Sequence, residues 1–178
     1  MNFHDIFNSY YDRVYSFTLL RVGNVHDTED LTSSVFVKVV EKLDTYKPEK
    51  AALSTWIFTI ALNEIRMYYR GRKPVRSLDD ICEVANQIDI EDDLLRHEER
   101  IWLIKAIDEL DERRKTIILL KYFGGLRDRQ IAEALNLSEK NVGVILSRTK
   151  KILRDLLIHF NDINSYGVYE GLKTLKAI

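Results

Sequence analysis

A single cysteine, Cys82, stands among 178 residues, so the chain has no internal disulfide and no cysteine-based zinc site. Proline occurs twice and glycine seven times, a scarcity that suits helices, whose interiors tolerate neither well. No apolar run approaches the roughly 20 residues of a membrane-spanning helix. The N-terminus lacks a secretory pattern. A cytoplasmic protein with no membrane insertion is expected. The four histidines (His4, His26, His97, His159) are scattered without ligand spacing. No Gly-rich phosphate loop is present. These absences predict no catalytic residues, no metal, no cofactor and no small-molecule substrate. Net charge is only −1, which by itself selects no partner.

The distribution of charge says more. Arg66 to Arg76 holds five basic residues and no acid, whereas Ser77 to Glu99 holds nine acids against Arg96 alone. From Lys121 to Arg154 there are eight basic residues and three acids. Two basic blocks thus flank an acidic bridge, and the near-neutral total hides two candidate phosphate-binding surfaces.

The second basic block contains the most informative pattern, Leu126 to Leu153. Ile131, Ala132 and Leu135 share one face of a short helix from Asp128 to Leu135. Asn136 follows where the chain must pass through a left-handed conformation, which Asn tolerates best after Gly. Leu137 plugs the corner, and Ser138 caps a second helix of about four turns with Val142, Ile145, Ile152 and Leu153 inward. A small residue, a turn residue and a β-branched core residue at Ala132, Asn136 and Val142 fit a helix-turn-helix whose second helix enters the DNA major groove. Lys140, Asn141 and Val144 should lie nearest base edges. Ser147 also faces outward, and Arg148, Lys150 and Lys151 lie farther along, where phosphates are the natural partners.

The rest of the chain reads as helices with little else. Asn2 to Val22 is an amphipathic helix stopped by Gly23-Asn24. Asp27 is expected to cap a second helix ending near Leu43. Its apolar residues Leu31, Val35, Phe36, Val39, Val40 and Leu43 form a stripe wider than one neighbour requires. After a loop from Asp44 to about Ala52, a third helix runs to Arg70 with Ile57, Ile60, Ala61, Ile65 and Tyr68 inward. Val75 to Asp92 has weak periodicity and reads as a linker. Helical spacing returns from Asp93 to Leu110, and Asp111 caps a helix ended by Gly124-Gly125. The expected architecture is all-α: two small helical domains, 1–74 and 93–160, joined by an acidic linker, 75–92, with a tail at 161–178. On the third helix Asn63, Arg66, Arg70 and Lys73 are three, four and three residues apart, and Tyr69 borders them. Such a face suits a DNA strand: cations for phosphates, an amide for a base edge, a ring for stacking on an unpaired base.

The runs TEDLTSSVFVKVVEKLDTYKP, STWIFTIALNEIRMYYRGRK and AIDELDERRKTIILLKYFGGLRDRQIAEALNLSEKNVGVILSRTKKIL together resemble bacterial sigma factors of the extracytoplasmic-function (ECF) group, over about Phe7 to Leu153. The resemblance implies that Asp30, Leu31, Val35, Phe36 and Val39 dock on core RNA polymerase. It further implies that the loop Asp44–Ser54 and the Asn63, Arg66, Arg70 face capture the non-template strand of the −10 promoter element. Trp56 would have mainly a packing role. The helix from Ser138 would read the −35 element, and the acidic linker would thread a basic channel of polymerase. Core RNA polymerase and promoter DNA are the implied partners, and an anti-sigma factor is a further candidate. The chain departs from the family at Gly143 and Ile145, where Lys or Arg is frequent, at Arg127, where Ser or Thr is usual, and at Asp111, where Pro is common. A free-standing helix-turn-helix regulator and a sigma-like interaction protein that does not read DNA are the alternatives.

Overall fold

The structure, a computed structural model, describes residues 2–70, 78–87 and 97–164. Among the described residues the regular elements are eight α-helices and one short 3₁₀ turn, Leu43–Thr45. α1 (Phe3–Val22) ends at Gly23, whose φ of 78° lets its N–H close on the Leu19 carbonyl. α2 (Val25–Lys42) is capped by Asn24, not by the expected Asp27: Asn24 Oδ1 accepts from the Asp27 N–H at 2.9 Å. Asp27 sits one turn inside the helix and accepts from the Tyr68 hydroxyl at 2.6 Å. The left-handed Gly23 sets the chain into the extended conformation a cap needs at Asn24, leaving no such position for Asp27. α3 (Leu53–Tyr68) completes a three-helix domain around Phe17, Phe36, Val39, Ile57, Phe58 and Ile65.

One carboxylate is buried in that domain. Glu64 accepts from Ser34 Oγ at 2.8 Å and pairs with Lys38, both on α2. Burial pushes the Glu64 carboxyl up, but the hydrogen bonds from Lys38 and Ser34 and the Lys38 and Lys42 charges outweigh it and hold the group below its ordinary value.

The linker expected over 75–92 contains a helix, α4 (Leu78–Gln87). Val84 and Ala85 are fully buried, and α4 packs on α5. Ile81, Val84 and Ala85 supply a short apolar face at helical spacing that the surrounding acids obscured. Asp89, Glu91, Asp92 and Asp93 lie outside the described residues. α5 (His97–Asp108) leads to α6 (Glu112–Tyr122), capped as expected by Asp111, which accepts from the Arg114 and Arg113 N–H groups at 3.0 and 3.1 Å. The Arg114 backbone hydrogen bond is the main force holding the Asp111 carboxyl below its ordinary value.

α7 (Asp128–Leu135) ends at Asn136 with φ 54° and ψ 51°, the expected left-handed corner. α8 (Glu139–Asn164) has 26 residues, far beyond the expected four turns. Leu153, Leu156, Leu157 and Phe160 continue its apolar repeat, and the Phe160 ring lies 5.7 Å from Trp102 of α5. The expected tail boundary therefore falls inside this helix, and 165–178 lie outside the described residues.

The two helical groups touch. α7 lies on α3, and Gln130 Nε2 donates to Ser54 Oγ at 2.8 Å. Arg13 Nε donates to the Gly124 carbonyl at 3.0 Å, with its guanidinium 5.0 Å from the Tyr10 ring centre. Gly125 adopts a φ of 61°, a left-handed conformation that favours glycine, and a Cβ there would displace the end of the Arg13 side chain.

Candidate nucleic-acid interface

α8 is held rigidly on its inner side. Val142 and Thr149 are wholly buried and Leu146 nearly so, with Ile145 half-buried beside them. Ala132, 5% exposed, lets α7 approach closely, and Ser138 Oγ accepts from the Asn141 N–H at 3.2 Å to start the helix. The opposite side presents Lys140, Asn141, Val144, Ser147, Arg148 and Lys151, all exposed. Val144 is an apolar contact on an otherwise polar stripe, 40% exposed. Lys150 departs from the expected phosphate row: it is half-buried with its ammonium 5.2 Å from the Tyr122 ring centre. At the start of α7 Gln130 Oε1 accepts from the Arg127 N–H at 2.8 Å, the reciprocal half of a capping box. An arginine side chain has no acceptor with which to supply the other half.

α3 ends at Tyr68, short of the expected Arg70; its exposed face carries Asn63 and Arg66, with Asn63 Oδ1 accepting from Arg66 Nη1 at 3.1 Å, and Arg70 is exposed in the turn that follows. Lys73 lies outside the described residues. Tyr69, expected at the border as a stacking ring, is half-buried, and its hydroxyl donates to the Arg21 carbonyl. It anchors the end of α3 to the end of α1. Met67 is 60% exposed between Arg66 and Arg70. Sequence reading passed over it, although its place four residues after Asn63 puts it on the same face. Ahead of the helix, Trp56 packs on Tyr46 with ring centres 5.1 Å apart, and the Tyr46 hydroxyl donates to the Ala51 carbonyl at 3.0 Å. The loop before α3 is thus braced from within.

The expected docking residues on α2 divide. Asp30 is exposed and Leu31 half-buried, but Val35, Phe36 and Val39 are buried in the domain core. Phe36 lies 4.9 Å from the Phe7 ring centre and 5.9 Å from that of Tyr11. These three side chains hold α2 against α1 and α3 and cannot also form an outward surface. The stripe looked too wide because it serves two faces. Asp30, Ser33, Val37 and Val40 recur at intervals of three and four on the outer one, where Val37 is 56% and Val40 50% exposed.

Between the two domains lies a cleft of about 580 Å³. The α1–α3 side contributes Arg21, Leu62, Ile65, Arg66 and Tyr69, and α6 contributes Glu112, Arg113 and Thr116. Arg21 Nη2 pairs with Glu112 Oε2 at 2.6 Å. Among the described residues no group of three or more His, Cys, Asp or Glu side chains is placed to hold a metal ion, and no helix is long and apolar enough to cross a membrane.

Comparison with known proteins agrees with this arrangement. The sigma-70 region 2 family matches residues 6–75 and the sigma-70 region 4 family matches residues 100–153, together more than two thirds of the chain. The ECF RNA polymerase sigma factor SigW of Bacillus subtilis (strain 168) is 28% identical over 166 residues, covering 87% of this chain and 88% of SigW. SigX of the same organism is 26% identical over 159 residues, covering 85% of this chain and 81% of SigX. Among solved structures, CnrH in complex with the cytosolic domain of CnrY superposes with a TM-score of 0.67 at 22% identity, over 88% of each chain. The sigma factor RpoE in complex with the anti-sigma factor NepR from Bartonella quintana gives 0.65 at 20% identity, over 87% of this chain and 96% of RpoE. With both regions present in order and the all-helical fold to match, the chain belongs to the sigma-70 family, and within it to the ECF sigma factors that direct RNA polymerase to promoters.

Proposed function

We propose a division of labour among three helices of this sigma factor. The outer face of α2 docks on core RNA polymerase, Asn63 and Arg66 on α3 with Arg70 just beyond it capture the non-template strand of the −10 element, and α8 reads the −35 element. The protein acts by binding alone, without catalysis of its own, in the cytoplasm where polymerase works. RpoE of Bartonella quintana is held by an anti-sigma factor, and a partner of that kind is part of the proposal. The observation that carries the reading is the separation of surfaces. Each basic face points away from its own domain core, on a helix fixed by buried side chains behind it.

Distance adds a requirement. The −10 and −35 elements are about 25 base pairs apart, roughly 85 Å of duplex. A compact chain of this length is roughly 40 Å across. The domains must therefore part before both elements are held, and the free chain should bind duplex promoter DNA weakly.

The test is a pair of variants. Asn63→Ala with Arg66→Ala should leave co-elution with core polymerase intact and block strand opening, read as permanganate reactivity of promoter thymines. Asp30→Lys, at an exposed position, should weaken co-elution first. Normal opening by the folded Asn63/Arg66 variant, or its loss from polymerase, would refute the assignment.

A further inference from the structure

Arg21 is the outlier in the interdomain cleft. No sequence pattern marks it, and its side chain is only 8% exposed. A guanidinium has five donor hydrogens, yet Arg21 makes one side-chain bond, from Nη2 to Glu112. Nε and Nη1 are buried without a hydrogen-bond partner among the described residues. A buried cation left so poorly matched is costly, and Glu112 is an indifferent partner, being 73% exposed and carried by the other domain. The α1–α3 wall around Arg21 also holds Arg66, the middle of the strand-capture face, and Tyr69, whose hydroxyl fixes the Arg21 backbone. If the domains part, Glu112 leaves with α6, and the Arg21 guanidinium loses its one partner on a cleft wall it shares with Arg66.

We propose that Arg21 is a phosphate ligand for the unpaired DNA strand, and that in the closed arrangement the Glu112 carboxylate occupies the place of that phosphate. The match is chemical. A phosphodiester offers two unbridged oxygens to a planar fork of donors, where Glu112 Oε2 now engages a single nitrogen. Arg21 thereby lengthens the cationic row from Arg70 and Arg66 toward α1. The same residue reports the domain state, since it cannot hold Glu112 and a strand phosphate together. The proposal rests on the reading that α3 captures the −10 strand.

The full-length chain is titrated with a short fluorescent single-stranded oligodeoxynucleotide over a range of salt concentrations. Glu112→Ala alters an exposed side chain and leaves the Asp111 cap in place. It should raise affinity about fivefold at about 0.1 M salt and steepen the log K against log salt slope by about 0.7, the signature of one further phosphate contact on a single strand. Arg21→Met should abolish that gain when added to Glu112→Ala. Glu109→Ala, which removes another exposed acid, should produce no comparable gain. No gain from Glu112→Ala, an equal gain from Glu109→Ala, or a gain that survives Arg21→Met would each overturn the proposal. Asn63→Ala with Arg66→Ala in the same titration tests the underlying reading. Unchanged affinity there overturns that reading itself, whereas lost affinity there without a gain from Glu112→Ala overturns only the role of Arg21.

Discussion

Arg148→Ala should weaken promoter binding by the holoenzyme by nearly the same factor on every −35 variant. Arg148 and Asn141 are both exposed on α8. Seven residues separate them, about 10.5 Å along the helix axis and only about 20° around it. The major groove is about 12 Å wide. A helix entering by its capped N-terminus would therefore set Asn141 on base edges and Arg148 against the phosphate wall. Loss of one phosphate contact flattens the salt slope by about 0.9, close to eightfold in affinity at about 0.1 M salt, or about 1.2 kcal/mol. Asn141→Ala should instead cost about 1–3 kcal/mol at one base pair with the slope nearly unchanged. Truncating an exposed side chain such as Arg148 should shift folding stability by no more than about 0.5 kcal/mol. The assay is anisotropy titration of holoenzyme against DNAs that differ only in the −35 element, repeated across salt. If Arg148→Ala reorders the variants while the slope holds, α8 sits in the groove with Arg148 turned toward the bases, and the assignment of its faces is wrong.

Two further outcomes concern stability. Gly143→Ala should stabilise the C-terminal domain by up to about 1 kcal/mol, because a Cβ there meets only Asp128 Oδ2 at 3.9 Å, an ordinary contact; a lower urea midpoint would contradict this. Lys38→Met leaves the Glu64 carboxylate buried with Ser34 alone, and should cost about 2 kcal/mol at neutral pH, a figure kept low because Lys38 is partly solvated. The native Glu64 carboxyl is held below its ordinary value of 4.5, so its contribution is present above that pH and is lost as pH falls through the native value. In the variant burial dominates and the carboxyl moves up. The stability gap between the two proteins should therefore narrow toward acid, and a gap that stays constant from neutral pH to about pH 4 would show that the pair is not its source.

Much of the fold was readable because its punctuation is local. Gly23, Asp111, Gly124-Gly125, Asn136 and Ser138 each mark a helix end through a conformation or a hydrogen bond that few other residues supply. The outward residues of α8 were readable for the same reason, since its start and its inner face were both fixed. What escaped were features set by partners distant in sequence. Whether Asn24 or Asp27 caps α2 depends on Gly23 and on Tyr68, 41 residues beyond Asp27. Val35, Phe36 and Val39 look like a docking stripe until α1 and α3 cover them, and Val37 and Val40 then stand out. α4 was hidden because three apolar residues sit among many acids. Arg21 and Glu112 are 91 positions apart, and no local pattern in either segment announces the pair.

Whether this chain gives core polymerase access to promoters is read by transcription in a purified system. Core RNA polymerase on promoter-containing DNA should produce specific transcripts only when the protein is added, and the Asn63/Arg66 variant should bind core and produce none. Tight sequence-specific binding of duplex DNA by the protein alone, with no promoter-directed transcript on addition of core, would show instead a free-standing regulator.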